Sequence, residues 1–438
     1  MTKVCKFGGT SMATAEAMKQ SAGIVLSDPA RAYVVVSAPG KRSKSDEKIT
    51  DLLYKCAGRA KETGSCADVF EKVAERYIEI VAELGLTVDI RKKLDAVKRE
   101  IEAGAGADYA ASRGEYLCAL IFAELISYKF VDAARLISFF DDGAFDSEFT
   151  NDKAGDILKG ERAVIPGFYG CMPDGGIKTF PRGGSDISGA IVARAVKAAV
   201  YENWTDVSGF MACDPRIVDD PRRIDILTYR ELRELSYMGA EVLHPDSIFP
   251  VRKADIPINI KNTFAPDDAG TMIVPFKTYQ RTGNVVTGIA GRKNFIAVHM
   301  EKSMMNADLG FARRALTVFE HFGISLEHMP SGIDTMTFIL DPATVDKEQL
   351  PLVLDALNAA LEPSVLETDD SLALIATVGH GMSKRPGTAA ALFAALAKAD
   401  VNVRMIDQGS SELNIIIGVD NADFEKAIRT IYTAFAKK

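Results

Sequence analysis

The sequence predicts an α/β domain built on a mostly parallel sheet over roughly the first 285 residues, followed by two small ferredoxin-like modules. Three observations carry this. Strand-like and helix-like segments alternate through the first part. Two corners with paired glycines, KFGGTS (6–11) and PRGGSD (181–186), each run into a helix-like segment. The last third repeats itself at a shift of 77 residues, 295–340 falling on 372–417 without a gap.

With 438 residues, 47% of them hydrophobic and 26% charged, the chain is expected to hold two or three globular domains. A net charge of -8 argues against a nucleic-acid or anionic-membrane partner. Met1 is followed almost at once by strand-like KVCKF, so no signal peptide is read, and windows such as LCALIFAELI fall short of the about 20 apolar residues of a membrane span. The expected location is cytoplasmic. Six cysteines (Cys5, Cys56, Cys66, Cys118, Cys171, Cys213) form no C-x-x-C pair and no cluster with histidine, which fits buried free thiols better than a metal site.

In chain order, VCKF reads as a strand and about Met12 to Leu26 as a helix; YVVVSAPG reads as a buried strand ending in a turn. A long helical tract follows from about Lys48 to Lys129, with breaks near Gly64, Gly85 and Gly104 to Gly106. LISFF and RAVIPGFYG are further strand candidates, then a helix after Asp186, then ENWTDVSG. In such sheets ligands sit at the carboxyl ends of strands, beside helix N-termini.

In the repeat, FIAVHM falls on LALIAT, FGISLEHMPSG on ADVNVRMIDQG and TMTFIL on ELNIII. Each copy reads strand, helix, strand, strand, helix. Apolar stripes (Phe311, Ala315, Phe319, Phe322; Ala389, Leu392, Phe393, Leu396) give each helix one buried face. The first copy has a further strand candidate at SVLET, whereas the second runs out of chain. VVTGIA (285–290) is the available donor, so the first copy is expected to be inserted within the second.

At KFGGTS, Gly8 and Gly9 let the backbone turn tightly, and Thr10 and Ser11 can cap the following helix. A helix N-terminus with Lys6 beside it would cradle phosphate; the plain structural account is a corner with a surface lysine. PRGGSD repeats the geometry. Arg182 can clamp a carboxylate or phosphate with two parallel hydrogen bonds, and Asp186 either orients a cation or serves as a helix N-cap. Ser37, Thr50, Glu115 (read as a first-turn residue), Thr205, Asp206 and Arg216 stand at strand ends or turns. Each taken alone is as well explained as a cap. The five histidines have no metal-ligand spacing, and His244 reads as structural.

KFGGTS, SRGE, PRGGSD, WTDVSG, DPR and VLHP, in this order, resemble the aspartate kinases of the amino-acid kinase superfamily. PGTAAALFAALAKADVNVRMIDQGSSELNI looks like the ACT repeat that closes those enzymes. The resemblance implies a carbamate-kinase-like three-layer αβα catalytic domain over 1–284 and ACT repeats over 285–370 and 371–438, with 285–291 donated as a strand to the second. It implies ATP and Mg2+ as cofactors, L-aspartate as substrate, and an allosteric amino acid, with lysine the first candidate and threonine the second. A homodimer or dimer of dimers through the ACT repeats is expected. Lys6 would stabilise the transferring phosphoryl group and Asp186 organise the reacting centre. Gly8, Gly9, Thr10, Gly184, Thr205, Asp206 and Arg216 would serve the nucleotide. Ser37, Thr50, Glu115, Arg182 and Ser185 would hold aspartate, Glu115 pairing with its amino group. The effector is placed at Gly310, Phe311, Ser331 and Asp334.

Two positions depart from many relatives, with Met211 where they carry Tyr and Glu241 where they carry Lys. The reversed charge at 241 should weaken a phosphate contact there. The chemistry agrees with the residues present: a carboxylate nucleophile is already ionised at neutral pH, so no activated histidine is needed. The alternatives are a kinase acting on glutamate or acetylglutamate, or a non-catalytic amino-acid sensor.

Overall fold

The structure, a computed structural model, describes residues 1–181, 183–240, 243, 245–280, 283–346 and 348–436, with backbone alone at 245, 246 and 436. It divides into two compact units, one of 1–210, 223–232 and 241–279, the other of 211–222, 233–240 and 280–438. The second thus takes in two short segments that precede the boundary expected at 284.

The first unit holds an eight-stranded sheet. Its order is Lys129–Phe130, Ala163–Pro166, Arg31–Val36, Lys3–Phe7, Val200–Thr205, Ile258–Asn262, Thr271–Val274, Ile226–Thr228. The first six run parallel; Thr271–Val274 reverses against Ile258–Asn262. Alternation decides the layers. Cys5, Phe7, Val34, Val36 and Trp204 point into one core with the helices Ala15–Leu26, Ile49–Thr63, Ala67–Leu84, Ile90–Glu102 and Gly106–Ile126. Lys6, Tyr201 and Asn203 point the other way, onto the helix Gly184–Ala195. The result is the expected αβα sandwich.

The helical tract breaks at Gly64, Gly85 and Gly104 as its spacing predicts. Elsewhere the structure corrects the expectation. The first long helix starts at Ala15, not Met12, because Thr14 accepts from the Ala17 amide at 3.1 Å and takes the cap; Thr10–Met12 is a separate 3-10 turn. LISFF forms no strand, only isolated bridges (Ser138 to Cys171, Phe139 to Phe145), because Ala133–Arg135 coils just before it.

The second unit holds a five-stranded antiparallel sheet in the order Thr335–Leu340, Gly288–Glu301, Val365–Val378, Asn414–Asp420, Met405–Asp407. Gly288–Arg292 pairs with Leu374–Val378, and Phe295–Glu301 pairs with both Val365–Leu372 and Thr335–Leu340. VVTGIA therefore enters the sheet only at Gly288, and SVLET and LALIAT lie on one strand. Both 14-residue strands run through both repeats. Phe311, Ala315, Phe319 and Leu357 close one core over Val298 and Met300; Leu392, Leu396, Ile428 and Ile431 close another over Ile289 and Ile375.

Candidate active site

Parallel pairing of Arg31–Val36, Lys3–Phe7 and Val200–Thr205 brings their carboxyl ends to one edge of the first unit. Lys6 is next to last on the central strand and is 7% exposed. Its Nζ lies 2.7 Å from Asp186 Oδ1. Asn203 donates Nδ2–H to the same oxygen at 2.9 Å, and the Tyr201 hydroxyl donates to the Asp186 backbone carbonyl at 3.2 Å. Nothing in the sequence singled out Asn203 within the strand candidate ENWTDVSG. Asp186 is not an N-cap: it is the third residue of Gly184–Ala195, whose cap is Gly183 at φ 71°, a left-handed conformation that favours glycine. The two corners thus meet, with the positive end of a helix beside a buried lysine.

The first corner is held by backbone. Gly8 donates its amide to the Trp204 carbonyl at 3.0 Å, and Gly40 donates to the Gly9 carbonyl at 2.8 Å. A Cβ on Gly40 would sit 2.7 Å from the Gly9 carbonyl carbon, so nothing larger fits. Thr10 and Thr205 donate their hydroxyls to the two oxygens of Asp206, at 3.1 and 3.2 Å. Ser11 is turned inward onto the Thr263 hydroxyl at 2.7 Å, so it neither caps the helix nor reaches the edge. Segment 40–48 is tied down by Arg76, 4% exposed, which reaches Asp46 at 2.5 Å and donates to the Gly40 carbonyl at 3.1 Å.

Glu115 is not a first-turn residue but sits inside Gly106–Ile126, 5% exposed. Its Oε2 has no hydrogen-bond partner among the described residues. Burial pushes its carboxyl up to about 8, against the Ala38 amide and the charge of Lys6, both of which favour the ionised form. Such a group is poised to accept a cation. Arg113, two residues earlier, is held elsewhere: its guanidinium stacks between the rings of Tyr109 at 4.5 Å and Tyr116 at 4.6 Å.

Ser37 follows its strand directly and donates its amide to the Phe7 carbonyl at 3.1 Å. Thr50 is the second residue of Ile49–Thr63, and Ser185 the second of Gly184–Ala195. Arg182, Glu241 and His244 lie outside the described residues. Arg216 and Met211 belong to the second unit, where Arg216 makes a two-point contact with Asp214 at 2.7 to 3.1 Å. No group of three or more His, Cys, Asp or Glu able to hold a metal occurs among the described residues, and no helix there is long and apolar enough to cross a membrane.

In the second unit Gly310 caps Phe311–His321 at φ 78°. Lys302 joins the expected effector segments: its amide donates to the Asp334 carbonyl at 2.9 Å, and its Nζ lies 5.7 Å from the centre of the Phe311 ring. Ser331 bridges to Met336.

Residues 1–262 match the model of the amino acid kinase family, and 375–435 match an ACT domain. Over 452 aligned residues the chain is 38% identical to aspartokinase 3 of Bacillus subtilis, covering 99% of this chain and 98% of that protein. The crystal structure of Clostridium acetobutylicum aspartate kinase superposes with a TM-score of 0.94 at 48% identity, covering 99% of this chain and 100% of that one. Escherichia coli aspartokinase III superposes at 0.78 and 27% identity, covering 100% of both chains in its complex with aspartate and ADP and 99% of both in its complex with lysine and aspartate.

Proposed function

The chain belongs to the amino acid kinase family, among its aspartokinases, and on that footing we propose how its residues divide the work. It transfers the terminal phosphoryl group of ATP to the side-chain carboxylate of L-aspartate, giving 4-phospho-L-aspartate. This is the entry reaction to lysine, threonine and methionine. The observation that carries the assignment of roles is the 2.7 Å contact between Lys6 and Asp186 at the carboxyl edge of the parallel sheet.

Phosphoryl transfer asks the protein for placement and charge neutralisation. Aspartate attacks as a carboxylate, ionised at neutral pH, so the barrier is repulsion between two anions. Lys6 faces the transferring group, and Asp186 and Asn203 hold its ammonium in place. Gly8, Gly9, Thr10 and Gly184 line the phosphates with backbone; Thr205 and Asp206 serve the nucleotide. Ser37, Thr50 and Ser185 contact aspartate, Arg182 takes a carboxylate, and Glu115 takes the ammonium. Asp186 or Asp206 would suit Mg2+, which binds through one or two carboxylates plus phosphates. When bound, Mg2+ supplies charge neutralisation at the phosphates.

We place the domains at 1–284, 285–370 and 371–438, and the molecule in the cytoplasm as a homodimer, or a dimer of dimers, joined through the ACT repeats. Lysine, with threonine as a possible partner, acts at Gly310, Phe311, Ser331 and Asp334. An assay with ATP and aspartate that traps the acyl phosphate as a hydroxamate tests the reaction; product with glutamate but not aspartate overturns it. Titrating that assay with lysine and threonine, singly and together, tests the regulation, and no response to any combination overturns it.

A further inference from the structure

The two edges of the five-stranded sheet come together. His328 bridges to Ile339 on one edge strand, and Asp407 ends the opposite edge strand; yet His328 Nδ1 lies 2.7 Å from Asp407 Oδ2. Arg404, just before that far strand, reaches back to Asp369 and donates to Ser371 Oγ at 2.9 Å. The sheet has curled over its own free face and forms an open cavity of about 500 Å³. That size is in the range of small-molecule sites.

Register orders the floor. Thr337, His299 and Glu367 stand side by side on three adjacent strands, and Ile339, Ala297 and Asp369 form the neighbouring row. The His299 ring is committed, 3.1 Å from the Thr337 hydroxyl and 3.2 Å from Glu301. Asp369 is committed too: hydrogen bonds from Ser371 and then Arg404 hold its carboxyl down to about 2. The Glu367 carboxylate has no hydrogen bond or ion pair with any described residue, although its backbone pairs opposite His299. A free carboxylate therefore stands at one end, and a guanidinium with N–H groups to spare at the other. The apolar side chains of Ala297, Ile339, Leu372 and Met405 lie between them.

We propose that this cavity is a second amino-acid site, on the other face of the sheet from Phe311, for a zwitterionic α-amino acid with an aliphatic side chain. Its ammonium meets Glu367, its carboxylate meets Arg404, and its side chain covers the apolar floor. The spacing suits this. Residues two apart on a strand are separated by about 7 Å. An ammonium and a carboxylate on one carbon bridge an acceptor and a donor, each about 2.8 Å away, over a similar span. Phe311 of the expected effector set is on the opposite face of the sheet, packed over Val298 and Met300, whereas Pro330, next to Ser331 of that set, lines this cavity. The inference rests on the aspartokinase reading only for its meaning as regulation; binding is measured without catalysis.

The experiment is calorimetric titration of the full chain with L-leucine and L-methionine, with N-acetyl-L-leucine and L-leucinamide as probes lacking one charge each. Saturable binding of leucine or methionine is expected, weakened about tenfold or more by either blocked probe and by Glu367→Gln. Asp334→Asn, in the effector loop, should leave it unchanged. Glu367 is exposed, so its substitution leaves the fold intact, and circular dichroism verifies this. No binding of either amino acid at millimolar concentration, equal binding by Glu367→Gln, or loss in Asp334→Asn would each overturn the proposal. The hydroxamate assay on the same preparation separates this failure from failure of the kinase reading: product without leucine or methionine binding sinks this inference alone.

Discussion

Replacing Glu115 by Gln should make the protein more stable and less active, and both effects have a size. The carboxyl is buried and held up to about 8 against an ordinary 4.5. A group whose folded pKa is raised contributes stability that is complete below the unfolded value and lost as pH rises toward the folded one. Between 4.5 and 8 the unfolded chain ionises Glu115 while the folded chain keeps it protonated. The folded state therefore gives up at most about 3 kcal/mol by pH 7 and about 5 above pH 8. Gln carries no such cost, so Glu115→Gln should gain stability over wild type as pH rises from 5 to 8, in denaturant melts without substrate. Catalysis moves the other way. An ammonium docks on the ionised form, so wild-type kcat/KM for aspartate should rise about tenfold per pH unit toward 8 and then level off. In Glu115→Gln that profile should be flat and lower by roughly 10- to 150-fold, the worth of one charge-assisted hydrogen bond of about 1.5–3 kcal/mol. A wild-type profile flat between pH 6.5 and 8, or a variant no more stable at pH 8 than at pH 5 relative to wild type, would refute the reasoning.

Lys6→Met should lower kcat about 10²- to 10³-fold, as loss of one preorganised donor to a developing negative charge does; the double variant with Asp186→Asn should recover stability lost by Lys6→Met alone, because no unpaired carboxylate remains, and chemical melts check this. Gly40→Ala should part the 40–48 segment from the first corner, costing about 1–3 kcal/mol of stability by overpacking and raising the KM for ATP, which steady-state kinetics and thermal melts read together. Asn203→Leu, which frees Asp186 from one of its two partners at that oxygen, should reduce kcat with little change in KM for aspartate; a change confined to KM would remove it from the Lys6 cluster.

Much of this was visible in the residues. The alternation of strand-like and helix-like segments marked the α/β domain, and glycines at 64, 85 and 104 marked the breaks of its helical tract, because glycine at a helix end is a local requirement that needs no distant partner. The gapless repeat marked the paired modules. What local pattern cannot carry is the partner of a polar side chain. Thr14 outcompeted Thr10 and Ser11 as cap, and Ser11 went instead to Thr263. Glu115 read as a helix start because the smaller residues before it (ASRG) look like a loop, yet they lie inside one helix, where the missing Cβ of Gly114 allows close packing on Ala38. Asn203 and Arg76 gave no signal, since each matters through a contact more than fifteen residues away in sequence.

The paired strands Gly288–Glu301 and Val365–Val378 have one more implication. The boundary between the repeats at 370 falls in mid-strand, so cutting the chain there would bare a row of unpaired amides on either side. Exchanging one copy for a foreign one would meet the same obstacle, since the replacement has to continue both shared strands in register.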